Sequence, residues 1–179
     1  GRLQYVSWSP DEKTVATVEQ EPNDYPFIVQ TWDIVSGQLI NRYVSGMFAF
    51  RGLVWSPSSK QIAVILEHPT GSNVYVRGLR VFSVIKNKTY DFDQNDFELF
   101  EDVNIDTYYG LQTQADWNSD GTMIAVALSN NIQVHQLTDN KPLATLPAYR
   151  ITSLKWSKDD QFIAGGSDDG TITIWGVKP

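Results

Sequence analysis

The sequence predicts an all-β protein assembled from four stacked antiparallel units, and three observations predict it. A short apolar strand ending in tryptophan recurs four times, as Val6-Ser7-Trp8, Leu53-Val54-Trp55, Ala115-Asp116-Trp117 and Leu154-Lys155-Trp156. Each copy runs into a short polar turn: Ser9-Pro10-Asp11, Ser56-Pro57-Ser58, Asn118-Ser119-Asp120 and Ser157-Lys158-Asp159. Segments such as Ile132-Gln133-Val134-His135 and Thr171-Ile172-Thr173-Ile174-Trp175 alternate with the period of two that marks a strand. A motif repeated at this interval signals supersecondary units that bury their faces only by stacking on one another. No stretch carries a helical period.

The tryptophans are spaced by 47 residues (8 to 55), 62 (55 to 117) and 39 (117 to 156). The last interval fits a bare four-stranded unit, so the first two carry roughly 8 and 23 extra residues as loop. With strands lettered a to d, the first unit places a at Leu3 to Trp8, b at Thr14 to Val18, c at Ile28 to Asp33 and d at Gln38 to Val44. The second has a at Gly52 to Trp55, b at Gln61 to Leu66, c at Gly78 to Ser83 and d at Asn87 to Phe92. The third has a at Leu111 to Trp117, b at Thr122 to Leu128, c at Ile132 to Gln136 and d at Pro142 to Leu146. The fourth has a at Ile151 to Trp156, b at Gln161 to Gly166 and c at Thr171 to Trp175, with no strand d. Ser-Pro-Asp, Asp-Gly and Ser-Gly pairs supply the turns. The units span about 1–47, 48–96, 108–147 and 148–179, with an acidic insertion at 93–110, as one continuous segment over 1–179.

The run Ile163-Ala164-Gly165-Gly166-Ser167-Asp168-Asp169-Gly170-Thr171-Ile172-Thr173-Ile174-Trp175 resembles the b-turn-c core of a WD-repeat β-propeller blade, and the four Trp-Ser-like turns resemble its a–b turn. The resemblance covers essentially the whole chain, more strongly in the first and fourth units. It implies a β-propeller of WD-repeat type with four blades, the last lacking its outer strand. The family's Trp-Asp pair survives as Trp32-Asp33 but reads Phe82-Ser83, His135-Gln136 and Trp175-Gly176 elsewhere. The Gly-His pair before strand a is absent, so the family's His-Ser-Asp-Trp network is incomplete in every blade and aromatic packing must hold the units together. Rings of this family have six to eight blades. The resemblance therefore implies either part of a longer propeller or a half-ring, completed by a second copy as a homodimer or by a missing half.

Composition narrows the function classes. Hydrophobic residues make up 41% of the chain and it holds six Trp, eight Tyr and eight Phe, as a packed globular protein requires. Without cysteine there is no disulfide, thiolate metal site or thiol chemistry. No apolar run approaches the 18 or more residues of a membrane span, and no leader-like segment is visible. The net charge of -7 argues against nucleic acid as partner, since phosphate binding needs a concentrated basic surface. A cytoplasmic location is expected.

The a–b turns are all short, whereas the long connections fall at the opposite end of the units: Glu19 to Phe27, Glu67 to Arg77 and Asp93 to Gly110. One-sided insertions mark a binding surface. These loops hold ten of the 21 acidic residues, including Asp96, Glu98, Glu101 and Asp102, interleaved with aromatics such as Tyr108 and Tyr109. Acidic-aromatic surface suits a basic peptide or protein, with rings as anchors and charge for steering; the plainer alternative is solvated loop covering the core's edge. Arg2, Arg51 and Arg150 stand at or just before strand a, two of them preceded by Phe50 and Tyr149, and are candidate ligand contacts. Arg beside an aromatic is also a common structural pair.

Catalysis finds little support. Only His68 and His135 could serve as a nucleophile's base, and His135 occupies the strand-c position held elsewhere by tryptophan, which favours packing. Gly165-Gly166-Ser167-Asp168-Asp169 lacks the last glycine and the helix of a nucleophile elbow. Asp91, Asp93, Asn95 and Asp102 share the spacing of a calcium loop, but Asp96 replaces its glycine and Asp102 its glutamate, so no metal site or cofactor is expected. The sequence points to a non-catalytic scaffold that binds a protein or peptide on its long-loop side. The alternative is the substrate-gating propeller of a prolyl-peptidase-like hydrolase.

Overall fold

A computed structural model describes residues 1–20, 26–44, 49–71, 74–84, 88–91, 99–100, 114–128, 130–137 and 142–177. Among them every regular element is a strand: β1 (Arg2–Trp8), β2 (Thr14–Gln20), β3 (Phe27–Asp33), β4 (Leu39–Val44), β5 (Ala49–Trp55), β6 (Gln61–Gly71), β7 (Val74–Ser83), β8 (Lys88–Asp91), β9 (Leu99–Phe100), β10 (Ala115–Trp117), β11 (Met123–Ala127), β12 (Asn131–Gln136), β13 (Pro142–Pro147), β14 (Ile151–Trp156), β15 (Phe162–Ser167) and β16 (Ile172–Gly176). They form four sheets, ordered β1-β2-β3-β4-β8, β5-β6-β7-β9, β10-β11-β12-β13 and β14-β15-β16. The fold is all-β, as the alternation and the turn spacing predict, and the fourth sheet has three strands. The chain divides into two compact units, Gly1–Glu101 and Asp102–Pro179, each holding two sheets.

Alternation along each strand decides which face packs. In β2, Ala16 and Val18 are buried to 0% exposure, while Val15 and Thr17 point to the opposite face and are only half-buried. Within the first unit, Ala16, Val18, Val29 and Tyr43 meet Leu53, Trp55, Ile62, Val64, Leu66 and Phe82 of the second sheet. Each fully buried aliphatic or aromatic side chain here contributes about 1.5–3 kcal/mol. Tyr43 stacks on Phe82 with ring centroids 4.4 Å apart, and its hydroxyl donates to the Ser83 carbonyl at 3.0 Å, so the buried phenol stays satisfied. The second unit repeats the scheme. Ala125, Ala127, Ile132 and Val134 of the third sheet cluster with Ile151, Leu154, Trp156 and Ile163 of the fourth. In both units the earlier sheet contributes its Ala/Val face and the later sheet its tryptophan face.

Three expectations are corrected. The segment around Asn87 to Phe92, expected as the outer strand of the second sheet, contributes β8, which pairs parallel to β4 on the edge of the first sheet. The edge of β7 is taken instead by β9. Both β4 and β7 present an open row of backbone donors and acceptors, and alternation alone does not say which edge a following strand will join. The connection Glu67 to Arg77, expected as loop, is largely a continuation of the β6–β7 hairpin, which pairs out to Gly71 and Val74; the run Val74-Tyr75-Val76 has the composition that sustains pairing. The shared motif implies that the four repeat tryptophans are mostly buried in equivalent positions, but while Trp55, Trp117 and Trp156 are 8%, 5% and 9% exposed, Trp8 is 57% exposed. Val6 beside it on the same face of the first sheet is exposed as well.

Candidate functional site

Each sheet has two ends, and the chain treats them differently. At the a–b end, the four turns join β1–β2, β5–β6, β10–β11 and β14–β15 through five residues each, and all four use one hydrogen-bond scheme. The residue after tryptophan accepts, through its side chain, the amide that opens the next strand: Ser9 Oγ from Thr14 N at 3.0 Å, Ser56 Oγ from Gln61 N at 3.1 Å, Asn118 Oδ1 from Met123 N at 2.8 Å and Ser157 Oγ from Phe162 N at 3.0 Å. Two residues on, Asp11, Asp120 and Asp159 accept the amides of Lys13, Thr122 and Gln161, as aspartates in tight turns do. Hydrogen bonds from Ser9, Thr122 and Ser157 hold these three carboxyls below the usual carboxylate range. The fourth residue after each tryptophan, Glu12, Ser59, Gly121 and Asp160, is left-handed, with φ of 59°, 61°, 73° and 58°.

Neighbouring turns are also joined. The Asp11 amide donates to Ser59 Oγ at 3.0 Å in the first unit. In the second, Asp160 accepts both the amide and the hydroxyl of Ser119, at 2.7 and 2.6 Å. Asp116 adds a second tie, taking Lys155 Nζ and the Trp156 amide at 2.8 Å each. Sequence reasoning missed the ties made by Asp116 and Asp160; their signal was a charged residue set at a fixed offset from the repeat tryptophan. The serine, asparagine and aspartate acceptors of these turns are occupied by the turns' own amides and hydroxyls.

At the other end lie the residues expected to contact a ligand. Arg2 is exposed at the start of β1. Tyr149 is 57% exposed, and the Arg150 guanidinium stands 6.0 Å from its ring centroid. Arg150 is left-handed at φ 51° and is held in place by an ion pair with Asp168, whose amide also donates to the Arg150 carbonyl at 3.2 Å. It therefore stiffens the β15–β16 turn as well as facing its end of the sheet. Phe50 packs against the core, with ring centroids 5.5 Å from Tyr5 and 5.8 Å from Phe27. Arg51 beside it is half-buried. Tyr108, Tyr109, Asp96, Glu98, Glu101 and Asp102 lie outside the described residues.

One feature of this end was invisible in the sequence. Strand a carries a β-bulge at the fourth residue before tryptophan in three sheets, at Gln4, Arg51 and Thr152. Bulges re-aim side chains and cluster beside functional sites. Arg51 thus stands at a position that is bulged in three of the four strands ending in the repeat tryptophan. His135, by contrast, is packed as its strand-c position implied. It is 3% exposed, meets Gln133 Oε1 through Nε2 at 3.0 Å, and burial pushes its pKa down to about 4. A ring held neutral in this way is a structural group. Among the described residues no cluster of three or more metal-ligating side chains occurs.

These sheets, ends and turns have counterparts among known proteins. Residues 140–176 match the family model of the WD domain, G-beta repeat. The match runs from the segment of β13 to the end of β16, so the repeat consists of the outer strand of one sheet followed by the three strands of the next. Four mainly antiparallel sheets of three to five strands, one of them bearing this repeat, fit a WD-type β-propeller fold. A solved structure titled Kuenenia stuttgartiensis Hydrazine Synthase is similar at a TM-score of 0.68 and 16% identity, over 96% of this chain and 58% of that one. At that identity the likeness is one of fold, and 692 solved chains match in all, so the architecture alone selects no activity. No curated protein matches the sequence.

Proposed function

We propose that this chain is a non-catalytic module that binds a protein or peptide at the end of its sheets opposite the a–b turns. WD40 repeats support an interaction-scaffold role in general. The finer reading rests on one observation: the contrast between the two ends. Four turns of equal length spend their serine, asparagine and aspartate acceptors on their own backbone. The opposite end of the sheets carries connections of unequal length, with exposed Arg2 in one unit and exposed Tyr149 in the other, and bulged first strands in each. Aromatic anchors and arginine are the side chains that dominate such interfaces. The acidic loop residues Asp96, Glu98, Glu101 and Asp102 favour a basic partner, attracted before docking.

The test is selection of binders from a displayed library of basic, aromatic-containing peptides. Binding should fall at least tenfold in Tyr149→Ala and in the pair Tyr108→Ala, Tyr109→Ala. Neutralising the four acidic residues should slow association and flatten its salt dependence. Lys60→Ala, at the a–b end, should change nothing. Peptides that lost affinity through the a–b turns and ignored the loop aromatics would reverse the assignment.

A further inference from the structure

The outer edges of the first two sheets are finished differently. β4 carries β8 along its edge, with Asn41, Arg42, Tyr43 and Val44 paired parallel to Lys88, Thr89, Tyr90 and Asp91. On β7, among the described residues, only Arg77 and Gly78 are covered, by β9. The Val84 amide donates to the Lys60 carbonyl. By antiparallel alternation Phe82 and Arg80 then bond inward to β6, while Ser83, Val81 and Leu79 turn their amides outward. The third sheet has a strand in this place, since β13 pairs with β12 from Asn131 to His135. The two edges are also close together. Tyr43 of β4 stacks on Phe82 of β7 with centroids 4.4 Å apart, and its hydroxyl donates to the Ser83 carbonyl at 3.0 Å.

We infer that Lys88–Asp91 is a strand shared by these two edges: it leaves β4, where it lies here, and exchanges onto β7 as the antiparallel partner of Arg80–Ser83. Four residues separate Ser83 from Lys88, a common length for a hairpin connection. Pairing then runs from Ser83 with Lys88 to Arg80 with Asp91. That register sets opposite charges across from one another at Arg80 and Asp91, which favours it. β9 keeps its place, because it already runs antiparallel on β7 and is next in line at Gly78 and Arg77. The strand gives up a parallel ladder of four residues, the less stable kind of pairing per residue and a short one. The edge it leaves is an outer fourth strand, as β13 is in the third sheet, whose order ends there. An open edge is where a sheet accepts an added extended segment, so the exchange selects which of the two sheets can take one.

Disulfide trapping in the whole chain, which has no cysteine of its own, tests this. Under native conditions Arg80→Cys with Asp91→Cys should close a bond at least about tenfold faster than the slipped pair Arg80→Cys with Tyr90→Cys, because a one-residue slip turns the side chain to the other face. Ser83→Cys with Lys88→Cys probes the same register at its other end and reports even if the first pair folds poorly. Arg42→Cys with Thr89→Cys should close as well, trapping the strand on β4. Locking residue 80 to residue 91 should slow hydrogen exchange at the Val81 amide and speed it along β4, while the amides of Val18 and Ile62 keep their protection. Failure of the β7 or the β4 lock to close, closure no faster than in the slipped pair, a Val81 amide that does not respond, or a lock that strips protection from Val18 and Ile62 would each overturn the inference.

Discussion

The carboxylate of Asp160 holds Ser119 by two bonds, from its amide at 2.7 Å and its hydroxyl at 2.6 Å, across 41 residues of sequence. The bond joins the turns of two stacked sheets and occupies both oxygens of a left-handed residue. Asp160→Ala should lower stability by about 1–2 kcal/mol, the scale of hydrogen bonds to a charged group at a solvated site. Ser119→Ala should cost less, because it keeps the amide. A double-mutant cycle read by urea unfolding should give a coupling of about 0.5 kcal/mol or more; additive losses would show that the two residues do not work together.

Gly165 lies beneath the ring of Trp175. A Cβ placed there would stand 2.8 Å from Cζ3 of Trp175 and 3.2 Å from Cδ1 of Ile151. The indole is itself tied, its Nε1 donating to the Pro147 carbonyl at 3.2 Å. Gly165→Ala should therefore cost about 1–3 kcal/mol by overpacking, seen as a lower Tm. Trp175→Leu in the same chain should make the alanine cheaper than it is alone.

Glu12 adopts φ 59° where the third turn has Gly121 at φ 73°. Glu12→Gly removes a left-handed penalty of about 1–2 kcal/mol, offset by about 0.4–1 kcal/mol of added freedom in the unfolded chain. A net gain of about 0.5 kcal/mol is expected in denaturant unfolding at low protein concentration.

His135 gives the fold a pH dependence on the acid side. Its pKa in the fold is about 4 against 6.5 in the unfolded chain, so between those values the unfolded state binds the extra proton. Its contribution is fully present above pH 6.5 and is lost as pH falls toward 4, by on the order of 1–3 kcal/mol. His135→Phe should flatten unfolding free energy across that window. The lowered carboxyls of Asp11, Asp120 and Asp159 add a further loss below their usual 3.8, which His135→Phe leaves in place.

Trp8 and Trp55 show how far the sequence could be read. The same local pattern surrounds both, yet one is 57% exposed and the other 8%. Exposure depends on whether a second sheet arrives on that face, which residues near the tryptophan do not encode. The candidate site divides likewise. Tyr149 was readable as an exposed aromatic, but Phe50, equally aromatic beside an arginine, belongs to a ring cluster with Tyr5 and Phe27.

What the sequence determined by itself is everything carried by near neighbours: the strand alternation and the four turns with their Ser, Asn and Asp acceptors. These follow from hydrogen bonds and side-chain directions within a few residues. Only the tertiary structure decided that Lys88–Asp91 joins the edge of β4, that Asp160 reaches Ser119, that Arg150 pairs with Asp168, and which tryptophan is left open. Edge pairing and stacking are contests between partners distant in sequence. Their outcome is set by which surfaces the folded chain brings together, and a local pattern compatible with several partners does not choose among them.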